Sequence, residues 1–250
     1  MIASLQMYKR PELVDAHDHF WQYLRTNLSD AGINAPDHLE QNVPEDDPWL
    51  NPELVFAQTC SMPYRLFLHG KVTLIGTPDY QIPGCAKGYY KSAVVVHKNN
   101  VKEKITDYKN SIFTYNNTTS QSGYAAPYND LKKDGFFFKN KTCSGGHLNS
   151  ARLIAKGDAD IAYIDALSLK FIQKYESFYN DLHILRWSDP VPGLPYITAL
   201  GADQKLWFDI VRQTITTLDH EVAQKLHLVD LIHIPSADYL AIPNPPLTND

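Results

Sequence analysis

Two serines spaced two apart and followed at once by a glycine stand at Ser120-Gln121-Ser122-Gly123-Tyr124. Hydroxyls can donate to an oxyanion, and a glycine lets a ligand approach the backbone closely. The preceding run, Ser111-Ile112-Phe113-Thr114-Tyr115-Asn116-Asn117, is strand-like, and the following one, Tyr124 to Lys133, can be helical. A strand, a hydroxyl-rich turn and a helix start make an anion site, because the first helical N–H groups lack internal partners and the dipole places roughly +0.5 charge there. The same residues would equally serve as a serine N-cap with a turn glycine, which needs no ligand. A second element, Ser144-Gly145-Gly146-His147, opens another helical run to Lys156. Its imidazole either donates to an oxyanion or faces solvent. Asp165, at the end of an apolar strand, either caps the helix that starts at Ala166 or meets a ligand.

The S-x-S-G-Y element, the S-G-G-H element and the run Gly157-Asp158-Ala159-Asp160-Ile161-Ala162-Tyr163-Ile164-Asp165-Ala166 together resemble the phosphonate-binding, PhnD-like family of periplasmic solute-binding proteins. Gln58-Thr59-Cys60, Gly76-Thr77-Pro78-Asp79-Tyr80 and Pro192-Gly193-Leu194-Pro195 are similar to landmarks of that family, so the resemblance runs along most of the chain. It implies an α/β chain with the two-lobed type 2 periplasmic binding-protein fold, closing on ligand about a hinge of two crossing segments. It implies that Ser120, Ser122 and the N–H groups near Gly123 and Tyr124 hold phosphonate oxygens, and that His147 touches the ligand. Asp165 would meet the cationic amino group of an aminophosphonate. Tyr8, Gln58 and Thr59 are the candidates from the other lobe, although Tyr8 packed on the first helix explains that residue as well.

The implied activity is reversible capture of a small oxyanion (phosphonate, phosphite or a phosphate ester) in the interlobe cleft, for ABC-type uptake. The partners are then a small-molecule anion and an ABC permease. No cofactor, metal or covalent step is needed, so an enzyme is not expected, and a monomer suffices. Two other readings use the same fold: a cytoplasmic enzyme of the chorismate-dehydratase-like kind, and a sensor that binds ligand and feeds no transporter. No arginine lies in the serine loop, so a bidentate guanidinium clamp is not evident there.

Composition bounds the rest. With 250 residues, 44% hydrophobic and 20% charged, the chain can bury a core as one large domain or two small ones. A net charge of −5 with no basic tract excludes nucleic acid as the default partner. Three cysteines, Cys60, Cys85 and Cys143, without C-x-x-C spacing fit neither a disulfide framework nor a structural zinc site. No apolar run reaches the length of a membrane span. Met1 to Tyr8 reads as a first strand and not as a signal peptide, so either an export signal has been removed or the protein is cytoplasmic.

Asp15-Ala16-His17-Asp18-His19 is similar to the D-x-H-x-H opening of metal-dependent amidohydrolases. Two histidines two apart share a face only on a strand. Here Leu13, Ala16, Phe20, Leu24 and Leu28 keep a helical period, which turns such a pair about 200° apart and opposes a metal role.

The elements that must position the serine loop alternate along the chain. Helices are expected over Pro11 to Gly32, 124–133, 147–156, Ala166 to Tyr179 and Asp203 to Lys225. Strands are expected at Leu54 to Gln58, Lys71 to Thr77, Tyr89 to His97, 111–117, Phe136 to Phe138, 160–164, Leu182 to Trp187 and Tyr196 to Leu200, with a shorter one near Leu39 to Val43. Alternation of this kind implies mainly parallel sheets. Proline–glycine connectors near 81–90 and 188–196 divide the chain into one lobe of 1–85 plus 195–250 and a second of 90–190 that carries the serine loop.

Overall fold

The computed structural model describes residues 1–44 and 46–246. In chain order the strands are β1 (Ile2–Ser4), β2 (Leu54–Gln58), β3 (Val72–Asp79), β4 (Tyr89–Tyr90), β5 (Ser92–His97), β6 (Phe113–Tyr115), β7 (Lys141–Cys143), β8 (Ile161–Asp165), β9 (Leu182–Trp187), β10 (Val191–Pro192), β11 (Tyr196–Ala199) and β12 (Asp230–Ile232). The helices are α1 (Val14–Asp30), α2 (Ser61–Pro63), α3 (Ala126–Lys132), α4 (His147–Lys156), α5 (Ala166–Tyr175), α6 (Gln204–Thr217), α7 (His220–Leu226) and α8 (Ser236–Leu240). Among the described residues the chain divides into two units, Met1–Tyr89 with Pro192–Leu240, and Tyr90–Val191 with residues 241–246. That last segment was expected with the first unit. Instead its Pro243 carbonyl accepts from Asn129 Nδ2 of the second at 2.9 Å. Residues 247–250 lie outside the described residues.

The first unit carries the sheet β1-β2-β11-β3-β12. Helix α1 covers it because its apolar stripe is helical in period. Leu13, Phe20, Trp21, Leu24 and Leu28 are all buried, and Phe20 and Trp21 lie with ring centroids 6.3 Å from Phe56 of β2. Pro11 begins the turn that leads into the helix. Gly32 ends it at a left-handed φ of 75°, with Ile33 N–H returning to the Leu28 carbonyl at 2.8 Å. His17 and His19 therefore sit on a helix, the first buried and the second exposed.

The second unit carries the sheet β7-β6-β8-β5-β9, and its strands β8 and β5 are buried on both faces. Val94, Val96, Ile161 and Tyr163 enter one core with Tyr108, Phe113 and Tyr124. Ala93, Val95, Ala162 and Ile164 enter the other with Ala151 and Ile154 of α4 and Leu169 and Ile172 of α5. The near-continuous apolar runs follow from this double burial.

Both sheets are mixed, which corrects the expectation of mainly parallel pairing. β1–β2, β6–β7 and β6–β8 are parallel. β11 runs antiparallel to both β2 and β3, and β5 antiparallel to both β8 and β9. β5 and β11 are the first long strands after the chain passes from one unit to the other. They enter by an extended connector and not by a crossover helix, so nothing imposes the parallel direction.

Four local expectations also change. Leu39 to Val43 forms no strand; Glu40 N–H reaches the Ala3 carbonyl at 2.7 Å, and the Val43 carbonyl accepts from the Gln6 side chain at 2.6 Å. Phe136 to Phe138 is irregular, because its rings pack on Phe113 and Tyr124, and the strand falls at β7 instead. The helix from Ala166 stops at Tyr175. The long C-terminal helix breaks at extended Leu218, and Asp219 recaps α7 by accepting from Glu221 N–H at 2.9 Å.

The connectors depend on close backbone contact. Gly193 N–H donates to the Gly88 carbonyl at 2.8 Å, and a Cβ on Gly193 would stand 2.7 Å from that oxygen. Asp79 Oδ1 accepts from Gln81 and Gly88 N–H at 3.1 and 3.3 Å, closing the intervening loop. Gly193→Ala is expected to destabilise the first unit by about 1–3 kcal/mol, since the methyl group meets main chain that cannot rotate away. Urea unfolding at neutral pH measures it, and an unchanged midpoint would show that the connector yields.

Candidate functional site

The serine loop begins where β6 ends. Ser120 has extended backbone and is the N-cap of a five-residue π-helical turn, Gln121–Ala125, that continues into α3. Its Oγ accepts from Gly123 N–H at 3.0 Å, and its carbonyl accepts from Tyr124 and Ala125 N–H at 3.2 and 3.0 Å. Ser120 therefore fills the capping role. The N–H groups of Gly123 and Tyr124, expected as ligand donors, are already engaged within the loop.

Ser122 is placed differently. Its Oγ lies 2.8 Å from His147 Nε2 and 3.5 Å from Ser120 Oγ. His147 is the first residue of α4, after the N-cap Gly146, which has no side chain with which to cap. Helix α4 packs against β8, so its start is held beside the serine loop. Burial alone pushes the His147 imidazole down to about 4, so the ring is neutral at pH 7.

Gly123 is required by close approach. A Cβ there would stand 2.0 Å from Asn116 Oδ1 and 3.4 Å from His147 Cε1. The loop is also fixed from behind. Ser92 Oγ donates to the Ser122 carbonyl at 3.0 Å, and Ser92 N–H donates to Ser188 Oγ at 2.9 Å. Asn116, Ser92 and Ser188 are absent from the motif reading. Asn116 had one available signal, its position in the strand-like run entering the loop. Ser92 and Ser188 are distant in sequence and had none.

Other candidates take structural places. The Tyr124 ring is buried in the core, 5.0 Å from Tyr115 and 5.7 Å from Phe137, and its hydroxyl accepts from Lys141 Nζ at 3.2 Å. The Tyr124 side chain is thus part of the core of the second unit. Asp165 is buried and caps α5, its Oδ1 accepting from Ser168 N–H at 2.7 Å.

In the first unit, Gln58 Nε2 donates to both the Tyr80 hydroxyl and the Leu194 carbonyl at 3.0 Å, which uses its two donors. Thr59 is fully buried, with its N–H on the Pro195 carbonyl at 3.0 Å and its hydroxyl directed to the Cys60 carbonyl at 3.4 Å. Gln58 and Thr59 therefore hold the returning chain in place. Tyr8 meets Tyr80 edge-on at 5.4 Å, and Tyr80 also hydrogen-bonds Tyr196, whose phenol burial pushes upward.

Among the described residues no group of three or more His, Cys, Asp or Glu side chains is placed to hold a metal, and no helix is long and apolar enough to cross a membrane. Cys60, Cys85 and Cys143 form no disulfide among the described residues.

Burial lowers His17 as well, to about 4. Between the ordinary histidine value near 6.5 and about 4, the unfolded chain binds protons at His17 and His147 that the folded chain does not. Stability is thus expected in full above that window and to fall as the pH drops through it, by on the order of 3 kcal/mol for His17. Urea midpoints taken across the window test this, with His17→Leu expected to flatten the decline. An unaltered slope would remove His17 from the account.

The comparisons with known proteins follow this geometry. A family profile described as ABC transporter, phosphonate, periplasmic substrate-binding protein matches residues 56–239. A sequence search finds no match among curated proteins. Among solved structures, PhnD1 from Prochlorococcus marinus in complex with methylphosphonate is similar at 16% identity and a TM-score of 0.72, covering 95% of this chain and 94% of that one. A protein from Xanthomonas citri bound to ATP is similar at 12% identity and a TM-score of 0.72, covering 96% and 97%. A binding-protein component of an ABC phosphonate transporter from Pseudomonas aeruginosa has 14% identity and a TM-score of 0.68, covering 93% and 80%. At these identities the structural likeness carries the fold alone, that of the two-lobed periplasmic binding proteins. The family match spans well over half of the chain and carries more: this chain belongs to the phosphonate-binding family of periplasmic substrate-binding proteins of ABC transporters, which bind small ligands, work with a permease and are not enzymes.

Proposed function

We propose that this chain captures a small oxyanion, a phosphonate, phosphite or phosphate ester, at the cluster of Ser120, Ser122 and His147 in its second unit. The observation that carries the reading is the 2.8 Å pair of Ser122 Oγ and His147 Nε2 beside Gly123. When the neutral imidazole donates from Nε2 to Ser122 Oγ, the serine proton is released to point at a ligand oxygen. The Ser120 hydroxyl, held as an acceptor by Gly123 N–H, keeps its own proton for a second ligand oxygen. Hydrogen bonds to a charged acceptor are the stronger kind, each contributing about 1.5–3 kcal/mol. Family membership supports the same chemistry, and an ABC permease is the partner it implies.

Asp165 remains a proposed ligand neighbour only through the oxygen that does not cap α5. Calorimetric titration with methylphosphonate, phosphite, a phosphate monoester and sulfate tests the reading, preceded by native mass spectrometry of the protein as purified. Saturable binding of at least one phosphorus oxyanion is expected. Binding of none of them would sink the proposal.

A further inference from the structure

Two polar atoms beside the serine loop are shut from solvent without a hydrogen-bond partner: Asn116 Oδ1 and His147 Nδ1. Both side chains close over the same glycine. A Cβ on Gly123 would stand 2.0 Å from Asn116 Oδ1 and 3.4 Å from His147 Cε1, the ring carbon bonded to Nδ1. Buried polar atoms are normally satisfied, and an orphan calls for a water, an ion or a ligand. A carboxamide oxygen can only accept. When the neutral ring donates from Nε2 to Ser122, its Nδ1 is an acceptor too. The cluster therefore offers two serine protons and two unmet lone pairs.

None of its own side chains carries a full charge. Among the described contacts of Ser120, Ser122, Gly123, Asn116 and His147 there is no lysine, arginine or carboxylate. The titratable neighbours are Cys143 of β7, whose thiol donates to the Asn116 main-chain carbonyl at 3.3 Å, and Asp165 of β8, engaged at Ser168 N–H. A fully deprotonated dianion suits such a cluster badly. It brings no donor for the two lone pairs, sets charged oxygens against them, and meets no cation among the described contacts of these residues.

Resting on the reading of this cluster as the oxyanion site, we infer that it selects a singly charged oxyanion that still carries an O–H group, and that Asn116 is the specificity-determining residue that accepts from it. The charged oxygens take the Ser120 and Ser122 hydroxyls, and the O–H turns to Asn116 Oδ1. Monoprotonated phosphonates, hydrogen phosphite and monoprotonated phosphate esters fit this pattern. Sulfonates of the same shape and charge lack the donor.

Calorimetric titration of the full chain with methylphosphonate and with methanesulfonate, from below to above the second ionisation of methylphosphonate, tests the inference. Methanesulfonate stays singly charged throughout and has no O–H, so any titration of the protein itself shows in both ligands. Below that ionisation, methylphosphonate is expected to bind about 5- to 150-fold more tightly than methanesulfonate, the factor for leaving an acceptor unmet. Above it, methylphosphonate affinity relative to methanesulfonate is expected to fall about tenfold per pH unit, as the monoanion is depleted. Asn116→Leu keeps the volume without the acceptor and should flatten both differences; Asn116→Asp keeps an acceptor and should retain them. If Asn116→Leu does not fold, the wild-type comparison decides alone. Methylphosphonate affinity that holds level or rises with pH, as an Nδ2 donor would produce, or equal binding of the two ligands, overturns the inference and leaves the anion site standing. Failure of both ligands to bind at any pH overturns the anion reading and this inference with it.

Discussion

Gly123→Ala is expected to lower oxyanion affinity by about 100-fold or more, the equivalent of two lost hydrogen bonds to a charged group. The methyl group would stand 2.0 Å from Asn116 Oδ1, a separation that no pair of unbonded atoms sustains, so the Asn116 amide must swing away. His147 Cε1 lies 3.4 Å from the same point, and any shift of that ring disturbs its 2.8 Å bond to Ser122. One added carbon thus displaces two of the groups around the proposed site. The fold should survive, because the amide can move although it cannot stay, and overpacking of this kind costs roughly 1–3 kcal/mol. Calorimetric titration with methylphosphonate and urea unfolding on the same variant separate the two effects. Full affinity in the variant would mean that neither Asn116 nor His147 borders the ligand.

The serines are expected to part company when each is replaced. Ser122→Ala should weaken oxyanion binding by about 10- to 150-fold, the factor for one hydrogen bond to a charged oxygen, with little effect on the ligand-free melting temperature. Among its described contacts its hydroxyl meets His147 and Ser120 and no backbone group. Ser120→Ala should act first on stability, costing about 0.5–2 kcal/mol as a lost N-cap, because Gly123 N–H loses the oxygen that accepts it. Any loss of affinity at Ser120 comes in addition. Thermal melting without ligand and titration with methylphosphonate, on both variants, tell these outcomes apart. If Ser122→Ala lowers the melting temperature and leaves affinity intact, the site loses its principal donor and the proposed function its main support.

Much of this protein was legible in the chain itself. The Leu13, Ala16, Phe20, Leu24 and Leu28 stripe specifies a helix by period alone, and with it the fate of His17 and His19. The apolar runs at Ala93 to Val96 and Ile161 to Ile164 announce strands buried on both faces. Loop elements are local too. Ser120 caps the turn that holds Gly123, three residues on, and His147 begins a helix directly after Gly146.

Direction and neighbourhood were decided by the tertiary structure. Hydrophobic period reports which faces of a strand are buried and carries nothing about which way its partner runs, so the antiparallel insertion of β5 and β11 was invisible. Residue type likewise states what a side chain can donate and not what has already taken it. Gln58 and Thr59 carry suitable groups, and the folded chain spends them on Tyr80, Leu194 and the Cys60 carbonyl. Asn116, an ordinary residue of the strand-like run before the motif, becomes distinctive only because α4 brings His147 to the same glycine, Gly123. Those two residues are 31 positions apart in the sequence, and only packing of α4 against β8 brings their unmet lone pairs together over one glycine.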